Sequence, residues 1–424
     1  MIQDNECDII VVGGGPAGTT AGALLSSRGW NVTVFEADQH PRFHIGESLL
    51  PMNLPIFEQL GVLEDVRQIG TFKPGADFTI ADEGAAHHSF PFDRALRDSP
   101  PHAYQVKRSD LDALLLNNCR SKGATVLENH KVTRIDLAAN GQHRVQVGSS
   151  DGVQSEWSCK YLLDASGQQT VLASQQKWRT RNRDHASAAI FAHFDNVAVR
   201  AGAEQGNISI YWIDAGWIWM IPLKDGVMSV GAVCNPAYLK QRSGSQEDFL
   251  LKTINQSDTA AARMSAATCV SETRVAANYS YFSRHQIGPG YALIGDAYAF
   301  IDPVFSSGVY LAMSSAASIV PVAEAWLKQK YIGHGIQAWL YKRKMRKGLA
   351  VFSWFIYRFN TPTMNTLFRN PRNVLKVEQA VTSMLAGDVY RGGMVRARLL
   401  IFKFIFHMTR FFGNPPQPAG RQHD

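Results

Sequence analysis

A glycine-rich turn near the start of the chain, Gly13-Gly14-Gly15-Pro16-Ala17-Gly18, restricts the possible folds more than any other segment. The apolar stretch Cys7 to Val12 before it predicts a strand, and the Ala- and Leu-rich stretch Thr19 to Arg28 after it predicts a helix. A second strand, Val32 to Phe35, ends at Glu36. Glycines let the backbone approach a pyrophosphate, a helix N-terminus offers free N–H groups, and an acid after the second strand can bind ribose hydroxyls. The pattern predicts a doubly wound α/β domain that binds a dinucleotide.

A later segment repeats the signal for a bound dinucleotide. The apolar run from Tyr291 to Ile294 predicts a strand that ends at Gly295-Asp296-Ala297, where Asp296 can reach a ribityl chain. The stretch from Phe300 to Val309 then opens a helix of small residues. Its N-terminal N–H groups, at Ser307 and Gly308, can bind an anion. A plain helix cap that contacts only the cofactor is an alternative, and the two interpretations are compatible.

Two tryptophans in a short apolar run mark a second sheet. Within Gly216 to Pro222, alternation places Trp217 and Trp219 on one face of a strand. Neighbouring strand-like runs, separated by Gly and Asp turns, complete the predicted sheet: Ala186 to Phe194, Gly206 to Asp214, Gly216 to Leu223 and Met228 to Cys234. Taken alone, the tryptophan strand is an ordinary core strand. Lys73, which precedes Pro74-Gly75, is taken alone an ordinary solvated turn residue.

Composition narrows the class of protein. The 424 residues are 45% apolar and 19% charged, which is typical of a globular enzyme and not of a disordered chain. The five cysteines have no CxxC or metal-ligand spacing, so we expect free thiols, a cytoplasmic location and no metal site. We expect no signal peptide, no transmembrane segment and no nucleic-acid partner, whereas the net charge of +7 allows an acidic partner.

The GWxWxIP sequence at Gly216 to Pro222, joined to the dinucleotide fingerprint and to Lys73, resembles the flavin-dependent halogenases. The resemblance extends to about Asp388 and is closest to enzymes that act on pyrrole or phenol groups held on carrier proteins. It implies a flavin-monooxygenase-like FAD-binding doubly wound domain, an inserted antiparallel substrate sheet and a helical C-terminal region. The implied domain segments are FAD-binding at 1–78, 105–184 and 271–328, substrate sheet at 79–104 and 185–270, and helical region at 329–424.

The resemblance also implies roles for particular residues. Reduced FAD from a separate flavin reductase, with dioxygen and a chloride or bromide ion, would produce hypohalous acid. Trp217 and Trp219 would separate the flavin from the substrate, and Lys73 would be the catalytic amine that receives the acid. The halide would lie at Ser307 and Gly308. The implied FAD contacts are Gly13, Gly15, Ala17, Gly18, Glu36, Arg42, Ser48, Arg108, Asp296 and Gly308.

Departures from related families refine the expected reaction. Flavin hydroxylases that use NADPH directly usually carry Asp-Gly where this chain has Asp164-Ala165-Ser166-Gly167, which favours a flavin that arrives already reduced. Tryptophan halogenases carry a Glu at the position of Phe305, so an electron-rich pyrrole or phenol is the expected substrate. The basic C-terminal third suits an acidic acyl carrier protein, although a solvated helix face explains it too. A flavin-dependent aromatic hydroxylase or a reductase of the same fold is the alternative.

Overall fold

The computed structural model describes residues 5–80, 87–96, 99–369 and 371–412. The chain forms two compact units, the first from residues 1–72, 103–186 and 278–350 and the second from residues 73–102, 187–277 and 351–424. The strands are β1 Glu6–Val12, β2 Val32–Phe35, β3 Thr71–Lys73, β4 Gly75–Ile80, β5 His87–Pro91, β6 Ala103–Gln105, β7 Thr125–Leu127, β8 His130–Asp136, β9 His143–Ser149, β10 Gln154–Asp164, β11 Arg179–Asp195, β12 Ile208–Ile213, β13 Gly216–Pro222, β14 Met228–Cys234, β15 Thr268–Cys269, β16 Arg274–Ser283, β17 Ile287–Gly288, β18 Tyr291–Leu293 and β19 Ala299–Phe300.

The helices lie between and after these strands. They are α1 Pro16–Ser26, α2 Leu54–Leu60, α3 Leu63–Ile69, α4 Arg108–Ser121, α5 Val171–Gln175, α6 Pro236–Leu239, α7 Gln246–Ile254, α8 Asp258–Arg263, α9 Gly308–Leu327, α10 Tyr331–Ile356, α11 Pro362–Arg369, α12 Val377–Leu385 and α13 Gly393–Phe412. Residues beyond 328 do not form a unit of their own, since those up to 350 cluster with the first unit and the rest with the second.

The first unit is built on a sheet of order β17-β18-β10-β1-β2-β7, which β9 and β8 extend from β10. β1 is parallel to both β10 and β2, and its residues Ile9, Ile10 and Val11 are fully buried. A parallel strand covered on both faces reads as a continuous apolar run, which is the pattern of Cys7 to Val12. α1 packs against α4 and α9. The predicted doubly wound domain is confirmed.

The second unit contains the sheet β11-β14-β13-β12-β4-β5, and β15 pairs with β11. Its pairs are antiparallel except β4 with β12, which run parallel, so the predicted antiparallel sheet is in fact mixed. One face buries a core that includes Tyr211, Met220 and the α7 residues Phe249 and Leu250. α11 lies against β4 and β5, and its Phe368 contacts Phe78.

One described helix, α9, is long and apolar enough to cross a membrane by length and composition. No transmembrane segment was predicted from the sequence. However, 67% of its most apolar stretch of eighteen residues is buried within the protein, as expected for a core helix.

Candidate functional site

The glycine-rich turn lies at the carboxyl end of β1, in the first unit. Gly13 has φ +105°, and a Cβ there would stand 2.6 Å from the carbonyl oxygen of Ala165. A Cβ on Gly18 would stand 1.9 Å from the carbonyl oxygen of Gly13. These two glycines are therefore required by the packing of the turn itself. A Cβ on Gly15, the residue before α1, would meet no atom within 4 Å, so the turn is open on that side.

Glu36 lies buried at the end of β2 and faces this turn. Its Oε2 accepts a hydrogen bond from the Gly14 N–H (2.6 Å), and its Oε1 accepts one from the Asp38 N–H (3.0 Å). The Arg42 Nε lies 3.5 Å from the same Oε1 and 3.4 Å from Asp38 Oδ2. The carboxylate is thus held in place with acceptor capacity left over, since each of its oxygens has two lone pairs.

Arg108, at the start of α4, holds the segment from Ile45 to Ser48 in place through a hydrogen bond. Its Nε and Nη2 donate to Asp112 Oδ1 and Oδ2 (2.8 and 3.0 Å), and its Nη1 donates to the Ile45 carbonyl (3.0 Å). Ser48 is buried and forms an antiparallel bridge with Gln105. Asp112 was missed by the sequence analysis, although its i+4 spacing from Arg108 is the usual signal for an ion pair on a helix.

Asp296 lies in the turn Gly295–Ala297 that follows β18. Burial raises the pKa of its carboxyl group to about 7, against the opposing charge of Arg108. Two side chains hold the turn: the Tyr281 hydroxyl donates to the Asp296 carbonyl (2.9 Å), and the Gly295 N–H donates to Ser315 Oγ (2.8 Å). No sequence pattern links these positions, because Tyr281 and Ser315 come from β16 and α9.

Ser307 and Gly308 form the start of α9. Ser307 is buried, and its Oγ has no hydrogen-bond partner among the described residues. A Cβ on Gly308 would meet no atom within 4 Å. Phe305, just before, is buried. A twenty-residue helix thus begins with free N–H groups beside an unsatisfied hydroxyl, an arrangement that suits an anion.

These residues fit FAD. Gly15 and Gly308 each border open space that no protein atom fills. The Ser307 hydroxyl is a buried group that lacks a partner in the described chain. Glu36 is positioned to accept from hydroxyl groups, and the N-terminus of α1 carries no side-chain cap. The predicted cofactor residues of the first unit, Gly13, Gly15, Ala17, Gly18, Glu36, Arg42, Ser48, Arg108, Asp296 and Gly308, belong to the turns and helix starts described above.

Lys73 is the last residue of β3 and the first residue of the second unit, and Pro74 separates it from β4. It is only 1% exposed, and its Nζ lies 5.3 Å from the ring centroid of Phe92. Burial lowers the pKa of its ammonium group to about 7. The backbone next to it is held in place, since the Phe92 N–H donates to the Pro74 carbonyl (2.9 Å). Lys73 is therefore not the ordinary solvated turn residue that its local sequence alone suggests.

Trp217 and Trp219 lie on one face of β13, as predicted, with ring centroids 5.7 Å apart. Both are buried, and the Trp219 Nε1 donates to Ser229 Oγ (3.2 Å). Gly231, directly opposite Trp219 on β14, makes room for the indole, because a Cβ there would stand 2.4 Å from the ring. Gly216 must be glycine, since its φ is +152° and a Cβ would stand 1.9 Å from the Val233 carbonyl oxygen.

One group of side chains in the second unit, Asp77, His87 and Glu204, brings together three side chains of the kinds that bind metals. The structure shows its donors already engaged. Asp77 accepts from Asn207 Nδ2 (2.7 Å) and lies 3.3 Å from the Arg200 Nε, while His87 Nε2 lies 2.7 Å from Glu204 Oε2. A guanidinium on the carboxylate opposes a second cation, so this group is an ion-pair network.

Comparison with known proteins links these features to a family. The model of the FAD binding domain family matches residues 6–328. The tryptophan 2-halogenase of Chondromyces crocatus is 35% identical over 323 residues, which cover 74% of this chain and 60% of that protein. The flavin-dependent halogenase rdc2 of Metacordyceps chlamydosporia is 30% identical over 379 residues, which cover 83% of this chain and 71% of that one.

A further relative matches nearly end to end. The 1H-pyrrole-2-carbonyl-[peptidyl-carrier protein] chlorinase of Pseudomonas fluorescens is 28% identical over 418 residues, which cover 92% of this chain and 91% of that enzyme. Among solved structures, a flavoprotein/dehydrogenase from Cytophaga hutchinsonii superposes with a TM-score of 0.87 at 27% identity, covering 96% of this chain and 100% of that one. The flavin-dependent halogenase CmlS superposes with a TM-score of 0.78 at 28% identity, covering 94% of this chain and 70% of that one.

Proposed function

The chain belongs to the flavin-dependent halogenases, and we propose that it chlorinates or brominates an electron-rich aromatic ring by means of hypohalous acid delivered to Lys73. The observation that carries this proposal is the burial of Lys73. A lysine in water has a pKa of about 10.4 and is almost fully protonated at neutral pH. With its pKa lowered to about 7, much of Lys73 is the neutral amine, which can react with an electrophilic halogen.

The first unit would hold the cofactor. The N-terminus of α1 and the open side of Gly15 would take the pyrophosphate, Glu36 the ribose hydroxyls, and Asp296 the ribityl chain. When bound, reduced FAD would supply two of the four electrons that reduce dioxygen; the halide ion supplies the other two and becomes hypohalous acid, and the second oxygen atom leaves as water. The Asp164-Ala165-Ser166-Gly167 sequence supports a separate flavin reductase as the source of that reduced FAD.

The halide would be held at the start of α9. The Ser307 hydroxyl, which lacks a partner in the described structure, and the Gly308 N–H group are the donors, and the positive end of the helix dipole favours an anion there. Trp217 and Trp219 would keep the aromatic substrate away from the flavin, so that hypohalous acid is the species that passes on to Lys73.

At Lys73 the chemistry balances without a further reagent. The neutral amine attacks the halogen of hypohalous acid, the N–X bond forms, the O–X bond breaks, and water leaves. The ring then takes the halogen from nitrogen and loses a proton, which regenerates the amine. A hydrogen bond from Lys73 to intact hypohalous acid would aim the same electrophile without the covalent step.

The proposed substrate is a pyrrole or phenol, and the proposed carrier is an acidic acyl carrier protein. The buried Phe305 leaves no carboxylate at the position where tryptophan halogenases carry one, which favours a ring that is already electron-rich. The near end-to-end similarity to a pyrrolyl-carrier chlorinase and the basic C-terminal third support a carrier-bound substrate. We further propose that the enzyme acts in the cytoplasm, which its free cysteines suit.

The test is a reconstituted assay of purified protein with FAD, a flavin reductase, NADH and bromide, offered a pyrrolyl carrier protein, a simple phenol and free tryptophan. We expect a brominated pyrrole or phenol. Lys73→Ala should bind FAD normally and make no product, whereas Lys224→Ala, which removes an exposed lysine of the same unit, should match the wild type. Bromination by Lys73→Ala would exclude Lys73 from the mechanism. A hydroxylated product, or NADH oxidation without the reductase, would instead support an aromatic hydroxylase.

A further inference from the structure

Helix α13, the last described helix of the second unit, has two different faces. Its inner residues Val395, Leu399, Phe402 and Phe406 are buried, and Phe402 and Phe406 pack on Phe355 and Trp354 of α10. Its outer residues form an apolar stripe at helical spacing: Leu400, Phe404, Met408, Phe411 and Phe412. Phe404 is 64% exposed and Phe411 is 81% exposed, which is rare for phenylalanine in a globular protein.

Four cations are gathered beside this stripe. The Arg358 guanidinium and the Lys403 ammonium lie 4.7 and 4.8 Å from the Trp354 ring centroid, and Arg396 and Arg410 are their electrostatic neighbours. α13 contains no acidic residue, and no carboxylate in the described part of the chain lies within ion-pair distance of these four. Burial, with Arg358 and Arg396, lowers the pKa of Lys403. Like charges held together in this way favour an anionic partner.

We propose that the outer face of α13 is a binding surface for an anionic phospholipid bilayer. The cations would contact lipid phosphates, while the phenylalanines enter the boundary between headgroups and acyl chains. A bilayer suits the observed arrangement because the apolar side chains stand out singly along three turns and end in two adjacent phenylalanines. The buried inner face fixes the helix on the protein, so the outer face stays exposed. A bilayer surface is deformable and can fit the protruding side chains.

The proposal is tested by co-sedimentation of the FAD-loaded full-length protein with vesicles. We expect binding to vesicles of phosphatidylcholine mixed with phosphatidylglycerol, no binding to phosphatidylcholine alone, and a loss of binding at high salt. Phe404→Ser/Phe411→Ser and, separately, Arg396→Gln/Arg410→Gln should each weaken binding by about tenfold or more. FAD content and melting temperature should be unchanged, since all four side chains are exposed.

Two matched controls keep the test specific. Ile332→Ser removes an apolar residue that is 85% exposed at the start of α10, and Lys240→Gln/Arg242→Gln removes two exposed cations of the second unit. Both controls should bind vesicles like the wild type. Equal loss in a control, or no binding of the wild type to anionic vesicles, overturns the proposal. So does binding of an acidic carrier protein that the α13 variants abolish while vesicles remain unbound, because α13 would then be a protein-docking face.

Discussion

The burial of Lys73, the proposed catalytic amine, has a cost in stability. A buried ammonium group is destabilised by the loss of water, and the same effect lowers its pKa to about 7. The unfolded chain, with a lysine pKa of about 10.4, therefore binds more protons than the folded chain between pH 7 and pH 10.4, so stability rises with pH in this window.

This linkage predicts a measurable difference between the wild type and Lys73→Met. At pH 6 the variant should be the more stable protein, because methionine fills the site without a buried charge. The free energy of unfolding of the wild type should rise, relative to that of the variant, by about 1.4 kcal/mol per pH unit between pH 7 and pH 9. Urea unfolding of both proteins at several pH values measures the difference. A constant difference across the range would mean that Lys73 keeps its charge when folded.

Ser307 carries the second prediction at this scale. Ser307→Ala removes a hydroxyl that lacks a partner in the described chain but leaves the backbone N–H groups of α9 in place. We expect the bromide concentration for half-maximal rate to rise by about tenfold or more, as expected for the loss of one hydrogen bond to an anion. FAD affinity should change little. Ser314→Ala, a buried serine further along α9, is the control and should leave the bromide dependence unaltered.

At the scale of elements, the turn Gly295–Ala297 depends on a strand that is distant in sequence. The Tyr281 hydroxyl, from β16, donates to the Asp296 carbonyl, and the Arg179 guanidinium lies 4.1 Å from the centre of the tyrosine ring. A cation over the ring strengthens the hydroxyl as a donor and holds the ring in place. The turn can therefore present Asp296 in one orientation.

Loss of this bond should loosen the turn. Tyr281→Phe is expected to weaken FAD binding by about three- to tenfold, the effect of one neutral hydrogen bond, without a change in secondary structure. Titration of the apoprotein with FAD measures the affinity. Tyr298→Phe is the matched control, because its hydroxyl bonds to Arg346 and not to the turn. If the two variants bind FAD equally well, the Tyr281 hydrogen bond does not position the turn.

Local patterns in the sequence predicted the positions of helices and strands better than they predicted which segments pack or pair with one another. The strand–turn–helix at Gly13 and the one-sided placement of Trp217 and Trp219 follow from the periodicity of a few residues, and both are confirmed. The parallel pairing of β4 with β12 joins segments about 130 residues apart, and no periodicity encodes it. The turn pattern at Lys73 did not indicate burial either. Its burial depends on packing against another segment of the chain, β5 and the turn after it, which contains Phe92.

At the scale of the whole molecule, the chain passes between its two units five times, after residues 72, 102, 186, 277 and 350. β3, β11, β16 and α10 each begin in one unit and end in the other. Neither unit is a continuous segment that could fold on its own, and a unit that unfolds would release one end of each of these four elements. We therefore expect the two units to unfold together.

This connectivity predicts that FAD stabilises the second unit as well as the first. FAD at about 100 times its Kd should add about 2.7 kcal/mol to the free energy of unfolding and raise a single melting transition by several degrees. Flavin release, which reports on the first unit, should coincide with the far-UV circular dichroism melt of the whole chain.

Gly15→Val is the control, because its Cβ meets no protein atom and the variant should fold, yet the side chain would fill the space that FAD needs. Its melting temperature should equal that of the wild-type apoprotein and should not respond to FAD. Two separated transitions, of which FAD shifts only one, would show that the shared elements do not couple the units.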